Sequence, residues 1–218
     1  SRAGLLTDKT AAAYEQTAAD YAAGAVSGQL DRAKSTENSR TILGLTAAGY
    51  NAADVAGVDL TSGLSDMNYL RIQGLNGPIW ALIALDCHSY DIPQCAEGGE
   101  QTTREGLVAE ILTSQCSDGG WTLAGDTADV DMTAMALTAL APYKDDVEVK
   151  AAVDAALVYL SDAQQEDGGF ISWGEPNSES CSQVIVALTA LGIDPASDER
   201  FIKEGGTVLD ALCAFACE

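Results

Sequence analysis

The stretch DVDMTA places two carboxylates, Asp129 and Asp131, directly ahead of the apolar run MTAMALTAL. A carboxylic acid that its surroundings hold neutral can protonate a substrate. A carboxylate at the same place can instead cap a helix by accepting its first free N–H groups. Capping is the expected role of Asp131, and Ser182 stands at the aligned position of a later repeat as another good cap. The lone histidine, His88, falls at the C-terminal end of an expected helix, where the helix dipole favours it. Of the six cysteines, Cys87, Cys95, Cys116, Cys181, Cys213 and Cys217, none forms a CxxC pair. The spacing of a zinc ribbon is therefore missing. Cys87 and Cys95 flank a short loop and could be bridged, while Cys213 and Cys217 lie one helical turn apart, which suits a metal or chance better than a disulfide.

The elements that must position these groups repeat. QCSDGGW begins at Gln115, and QQEDGGF begins 49 residues later at Gln164. A second phrase, ALTAL, occurs at Ala136 and Ala187, with ALIAL at Ala81 and the looser GLTAAG at Gly44; the starts lie 37, 55 and 51 residues apart. Periods of this order mark a repeat architecture. Each unit reads as an amphipathic helix, a glycine-rich loop and a helix that is apolar nearly all round. The spacing predicts helices over 8–25, 36–49, 66–72, 77–88, 103–115, 130–142, 147–164, 179–192 and 199–216, with almost no strand signal. Solvent-facing helices alternating with buried ones imply two concentric layers, the inner helices running parallel to one another.

The phrase YLSDAQQEDGGF resembles the QW motif of squalene–hopene and oxidosqualene cyclases through Tyr159, Leu160, Gln164, Gly168 and Phe170. The earlier copy keeps Gln115, Gly119 and Trp121 but has Glu110 where the aromatic should stand. Protein prenyltransferases, complement thioester domains and cobalamin carriers share the implied α/α toroid. QGLNGPIWALIALD and SESCSQVIVALTALGIDP are most similar to the prenyltransferase/squalene-oxidase-type repeats of large bacterial surface proteins. The resemblance covers about residues 35–195. It implies an all-α fold, a single α/α-toroid domain over residues 1–218 with about four to five helical hairpins; complete toroids of this superfamily have five to seven, so the chain is an open arc, a small ring or a fragment missing a terminal hairpin.

The activities of these relatives can be tried on the residues. The cyclase motif is Asp-x-Asp-Asp-Thr-Ala; Asp131 matches its acid and Asp129 the partner, but Met132 replaces the last Asp. A cyclase also needs a cavity rich in aromatics to stabilise carbocations, and this chain has three Trp, seven Tyr and three Phe. Prenyltransferase zinc would need a histidine on the rim of the acidic motif, whereas His88 is expected on the opposite rim. The thioester motif has its nearest counterpart in EGGEQ, where Gly98 stands in place of the reactive cysteine. No cofactor and no metal are expected.

Parallel inner helices would gather their N-termini on one rim, a place for an anion or polar ligand. The expected ligand-binding residues there are Asn38, Arg40, Asn76, Asp129, Asp131 and Glu179, with Trp173 in a loop as an exposed contact. Arg40 would pair with Asp129, Asp131 or Glu179, or meet an acidic ligand group. Helix capping by the same residues is the plainer alternative. A net charge of −22, from 33 acids and 11 bases, repels phosphate backbones and anionic lipid, so neither nucleic acid nor membrane insertion is expected. The longest apolar run is about half of what a membrane helix needs. The chain starts at Ser1 and ends within LCAFACE, so both ends read as cuts in a longer protein with further domains. The leading expectation is a non-catalytic module for ligand binding or adhesion in a secreted or surface-anchored bacterial protein, its ligand or surface partner unknown. A cyclase-like enzyme using Asp131 as general acid and a structural spacer are the alternatives.

Overall fold

Short polar caps punctuate a chain whose apolar residues recur at helical spacing, and the result is helix-rich. The computed structural model describes residues 7–172 and 174–216. Nine α-helices form among them: α1 (Asp8–Ala22), α2 (Ser35–Ala48), α3 (Met67–Leu70), α4 (Asn76–Asp86), α5 (Arg104–Thr113), α6 (Val130–Leu140), α7 (Val147–Ala163), α8 (Ser178–Leu191) and α9 (Val208–Cys213). Two antiparallel hairpins join them, β1 (Ile171–Ser172) with β2 (Glu175–Pro176) and β3 (Ile202–Lys203) with β4 (Gly206–Thr207). The chain divides into two compact units, Ser1–Glu110 and Ile111–Glu218.

Most helices begin where a side chain can accept an otherwise unpaired N–H. Thr7, Asp66, Asp129, Asp146, Asn177 and Thr207 each cap the helix that follows. α2 and α8 end on left-handed glycines, Gly49 and Gly192, the residue that takes this conformation without a Cβ penalty.

In the first unit α2 packs mainly on α4. Their N-termini meet, because Gln73, just ahead of α4, accepts a bond from the Thr36 N–H at 2.9 Å in the first turn of α2. Their C-termini meet as well: Tyr90, past the end of α4, has its hydroxyl 2.8 Å from Thr46 Oγ1 in the last turn of α2. The two helices are therefore parallel. Ile42, Leu45, Ile79, Leu82 and Leu85 form the seam and are fully buried. Arg104 locks α5 to this pair by donating to Asp86 at 2.7 Å and to the carbonyls of Leu85 and Tyr90.

The second unit repeats the plan. Asp131, in the first turn of α6, accepts a bond from the Ser172 hydroxyl just ahead of α8 at 2.9 Å. Lys144, beyond α6, donates to the carbonyl of Leu191, the last residue of α8, at 2.7 Å. α6 and α8 are thus parallel, and their contact is the most extensive between any two elements of the described chain. α7 lies against α6 and buries Val149, Val153, Leu157 and Leu160 while Val158 faces solvent. That is the amphipathic stripe expected of it.

The expected helix over 199–216 is not one helix. Glu199–Phe201 is a 3-10 turn, the β3–β4 hairpin follows, and α9 occupies only Val208–Cys213. Gly205 and Gly206 break the helix. Thr207 restarts it through a capping box with Asp210. The β1–β2 hairpin was likewise not expected.

Asn38 corrects another expectation. It is fully buried rather than on a rim, and its side chain holds two loops. Its amide donates to the carbonyls of Gly28 at 2.6 Å and Leu60 at 2.9 Å, and its oxygen accepts from the Leu30 N–H at 2.9 Å. Asn38→Ala should cost about 2–3 kcal/mol, since two buried carbonyls and one half-buried N–H lose their partner. Urea denaturation of the first unit's spectroscopic signal checks this, and a loss under 0.5 kcal/mol would show that water replaces the amide.

Candidate functional site

The glycine loops are the most regular feature near any candidate site. Gln115 Nε2 donates to the Gly119 carbonyl at 2.7 Å and to the Ala152 carbonyl at 2.9 Å. Gln164 Nε2 does the same to Gly168 at 2.9 Å and Phe201 at 3.1 Å. In both copies the acceptors lie 4 and 37 residues along the chain. Each glutamine therefore closes its own loop and ties it to the next repeat. The aromatic after the glycines is core: Trp121 is fully buried and donates through Nε1 to the Ile111 carbonyl at 2.7 Å, and Phe170 is buried too. Tyr159 donates its hydroxyl to the Ala128 carbonyl at 2.8 Å, and burial pushes its phenol up to about 12, with Asp118 and Asp129 adding to the rise. These motifs hold the fold.

The acidic pair divides its labour differently from expectation. Asp129, not Asp131, caps α6, accepting from the Met132 N–H at 2.8 Å. The reason is register: α6 starts at Val130, so Asp131 already lies inside the first turn. Its Oδ2 takes the Ser172 bond, and its Oδ1 is buried without a partner among the described residues. The expected cap Ser182 is also displaced. Asn177 caps α8 through the Ser180 N–H at 2.9 Å, and Ser182 donates back to the Ser178 carbonyl within the helix.

The other expected ligand residues are dispersed in role. Arg40 is exposed and pairs with Glu37 on its own helix at 3.6 Å. Asn76 opens α4, half-buried. Glu179 is exposed and accepts the Ser178 hydroxyl at 2.8 Å, which lowers its carboxyl below the ordinary glutamate range. It borders a concavity of about 470 Å³ with Ser182, Val186 and Leu212. Trp173 lies outside the described residues. His88 stands two residues past α4, its ring tilted against Tyr90 at 5.3 Å, on a concavity of about 560 Å³ that also includes Asp59 and Asp91. Gln101 of EGGEQ clamps its own loop, accepting from the Cys95 N–H at 2.8 Å and donating to the Pro93 carbonyl at 3.1 Å. Cys87 and Cys95 are not bridged. Among the described residues no group of three or more His, Cys, Asp or Glu is placed to hold a metal.

The second unit has a further cavity, about 520 Å³, that sequence reasoning did not find. It lies where the DGG loop, β1–β2 and the β3–β4 turn converge beside α9. Phe170 and Ala211 are buried beneath it, while Ile171 and Phe215 are about two-fifths exposed beside it. Its polar lining includes Asp167 and Asp210. Asp167 Oδ1 accepts from the Gly169 N–H at 2.9 Å. Asp210 Oδ2 accepts from the N–H and hydroxyl of Thr207 at 2.9 and 2.8 Å. The volume falls within the range of small-molecule sites. The signals were present in the sequence as EGG and T-x-x-D, a turn followed by a capping box, but an apolar periodicity over 208–215 outweighed them.

The Thr207 bonds hold the Asp210 carboxyl below the ordinary aspartate range. A folded value below the unfolded one gives stability that is present above the unfolded value and lost as pH falls through the folded one. The start of α9 should therefore loosen below about pH 4. The Thr207 amide resonance should titrate with a midpoint below that of a free aspartate, and the transition should vanish in Asp210→Asn.

No helix among the described residues is long and apolar enough to cross a membrane. Comparison of the chain with protein-family models, with curated proteins and with solved structures finds no match.

Proposed function

We propose that the chain is a non-catalytic module for ligand binding or adhesion, built as part of an α/α toroid and carried by a secreted or surface-anchored bacterial protein. The cavity of about 520 Å³ beside α9 carries this reading. It combines an apolar floor with a few fixed polar groups, the usual make-up of a small-molecule site. It is lined by the DGG loop, the β1–β2 and β3–β4 hairpins and α9, and it includes none of the rim residues expected from the sequence. The toroid reading is supported by the two parallel pairs, α2 with α4 and α6 with α8, each followed or flanked by outer helices. The strongly acidic surface suits an exposed extracellular habitat.

A thermal-shift screen over neutral, cationic and anionic small molecules tests the proposal. A ligand at a hundred times its Kd should stabilise the fold by about 2.7 kcal/mol, and Ala211→Trp, which fills the cavity floor, should abolish the shift. If no compound of any class stabilises the wild type, a structural spacer becomes the better reading.

One observation favours the cyclase-like alternative. Asp131 does not cap its helix, and its Oδ1 is buried without a partner among the described residues. A proton donor needs such a poised carboxyl. Against it, Met132 replaces the last acid of the motif and is itself buried, and the cavity described above includes neither Asp129 nor Asp131. Incubation with a polyprenyl substrate decides: cyclic product lost in Asp131→Asn would favour the enzyme, and unchanged substrate would exclude it.

A further inference from the structure

We infer that the cavity beside α9 selects a small organic cation, an ammonium group carried on an apolar body. The inference rests on the ligand-binding reading above and names the ligand class for that site.

Two exposed carboxylates, Asp167 and Asp210, border an apolar lining that includes Phe170 and Phe215, and no basic residue lines the cavity among the described residues. Among the described residues each carboxylate uses one oxygen in the hydrogen bonds that fix it, Asp167 Oδ1 and Asp210 Oδ2. The other oxygen of each has no such bond and is available to a donor. The bases of the second unit are engaged elsewhere: Lys144 on the Leu191 carbonyl, Lys150 on Asp154, Arg200 on Asp198 and Lys203 on the Ser161 carbonyl. None of these four bases therefore neutralises the pair from within the cavity. The exposed side of Phe215 offers apolar surface to the body of such a cation, and the two carboxylates offer charge to its ammonium.

The repeat gives an internal control. Asp118 occupies the position of Asp167 in the earlier glycine loop, and its Oδ2 holds the Ala128 N–H at 3.0 Å. Among the described residues Asp167 bonds only the Gly169 N–H of its own loop, and it borders the cavity. The same acid that fastens structure in one copy is left facing a concavity in the other. The walls are also preset. Gly205 donates to the Glu166 carbonyl at 2.8 Å, and a Cβ on Gly205 would stand 2.7 Å from that oxygen, so the β3–β4 turn sits directly on the DGG loop. A site fixed in this way loses little freedom when a ligand enters.

The test is an amide-resolved NMR titration of the full chain with phenethylammonium, with 2-phenylethanol and phenylacetate as the neutral and anionic counterparts. The cation should shift Gly169, Ile171, Ala211 and Phe215 saturably, and phenylacetate should not. Asp167→Asn and Asp210→Asn should each weaken binding about three- to tenfold. Both keep an oxygen to accept the local N–H. Phe215→Ala, at an exposed position, should weaken the cation without unfolding the unit. Equal affinity for the alcohol and the cation, or unaltered binding in both Asn variants, overturns the inference. If only the neutral or anionic probe fills the cavity, the cation selectivity fails while the binding-module reading stands. If no probe binds anywhere, both fall.

Discussion

Replacing Trp121 by alanine is expected to destabilise the second unit by about 3–5 kcal/mol, the range for truncating a large buried aromatic. The indole is fully buried, and its Nε1 donates to the Ile111 carbonyl at 2.7 Å. Truncation would leave a cavity and, among the described residues, leave the Ile111 carbonyl with only the 3.2 Å bond from the Ser114 N–H. The neighbourhood cannot collapse easily. The Trp121 N–H donates to Thr133 Oγ1 at 2.9 Å, and Gly120 is pressed so closely on α6 that a Cβ there would stand 2.5 Å from the same oxygen. Trp121→Phe should recover most of the packing and lose chiefly the hydrogen bond, about 1 kcal/mol. Chemical denaturation of the three proteins, followed by amide exchange of α6 and α7, measures both differences. A near-neutral Trp121→Ala would mean that the ring is exposed in solution, and the reading of the glycine loop as architecture would fall with it.

The helices were legible because their signals were redundant. In α7 an apolar stripe, an aspartate cap and a polar outer face all agree, and the observed bounds Val147–Ala163 differ by one residue from those expected. α6 and α8 were legible for a related reason: a buried helix needs little amphipathicity, and ALTAL marks both. The glutamines could be recognised as fasteners but not resolved. Their second acceptors, Ala152 and Phe201, lie 37 residues away and have no local signature. The C-terminal helix failed where local chemistry and periodicity disagreed. Apolar spacing favoured a long helix across a double glycine, but the glycine cost and the new cap at Thr207 decided otherwise.

The candidate site was harder, for a physical reason. A rim of polar residues can be listed from helix starts, but which of them face a cavity depends on how each is already bonded. Asn38 has a helix-start address and a core job. The roles of Asp129 and Asp131 turn on a single residue of register at the start of α6. Asp167 lies in the DGG loop and Asp210 in the first turn of α9, and both border one cavity because the β3–β4 turn ahead of α9 packs on the DGG loop. Nothing within either segment records that meeting.

That packing makes a second prediction. Gly168 holds φ at +86°, and a Cβ there would lie 2.4 Å from the Thr207 carbonyl oxygen. Gly168→Ala must meet both a left-handed backbone and a backbone overlap, and it should cost about 2–5 kcal/mol. Gly125 separates the two contributions. Its φ is +90°, but a Cβ there would meet nothing within 4 Å. Gly125→Ala should therefore cost only the conformational part, about 1–2 kcal/mol. The excess at Gly168 measures how firmly the β3–β4 turn seats on the glycine loop. Because the same turn and loop contribute Gly205 and Gly169 to the cavity lining, Gly168→Ala should weaken phenethylammonium binding even where enough folded protein remains to titrate, whereas Gly125→Ala should leave it unchanged. Equal costs for the two substitutions, read from urea midpoints at constant m-value, would show that the turn moves aside freely and that the cavity wall is not preset.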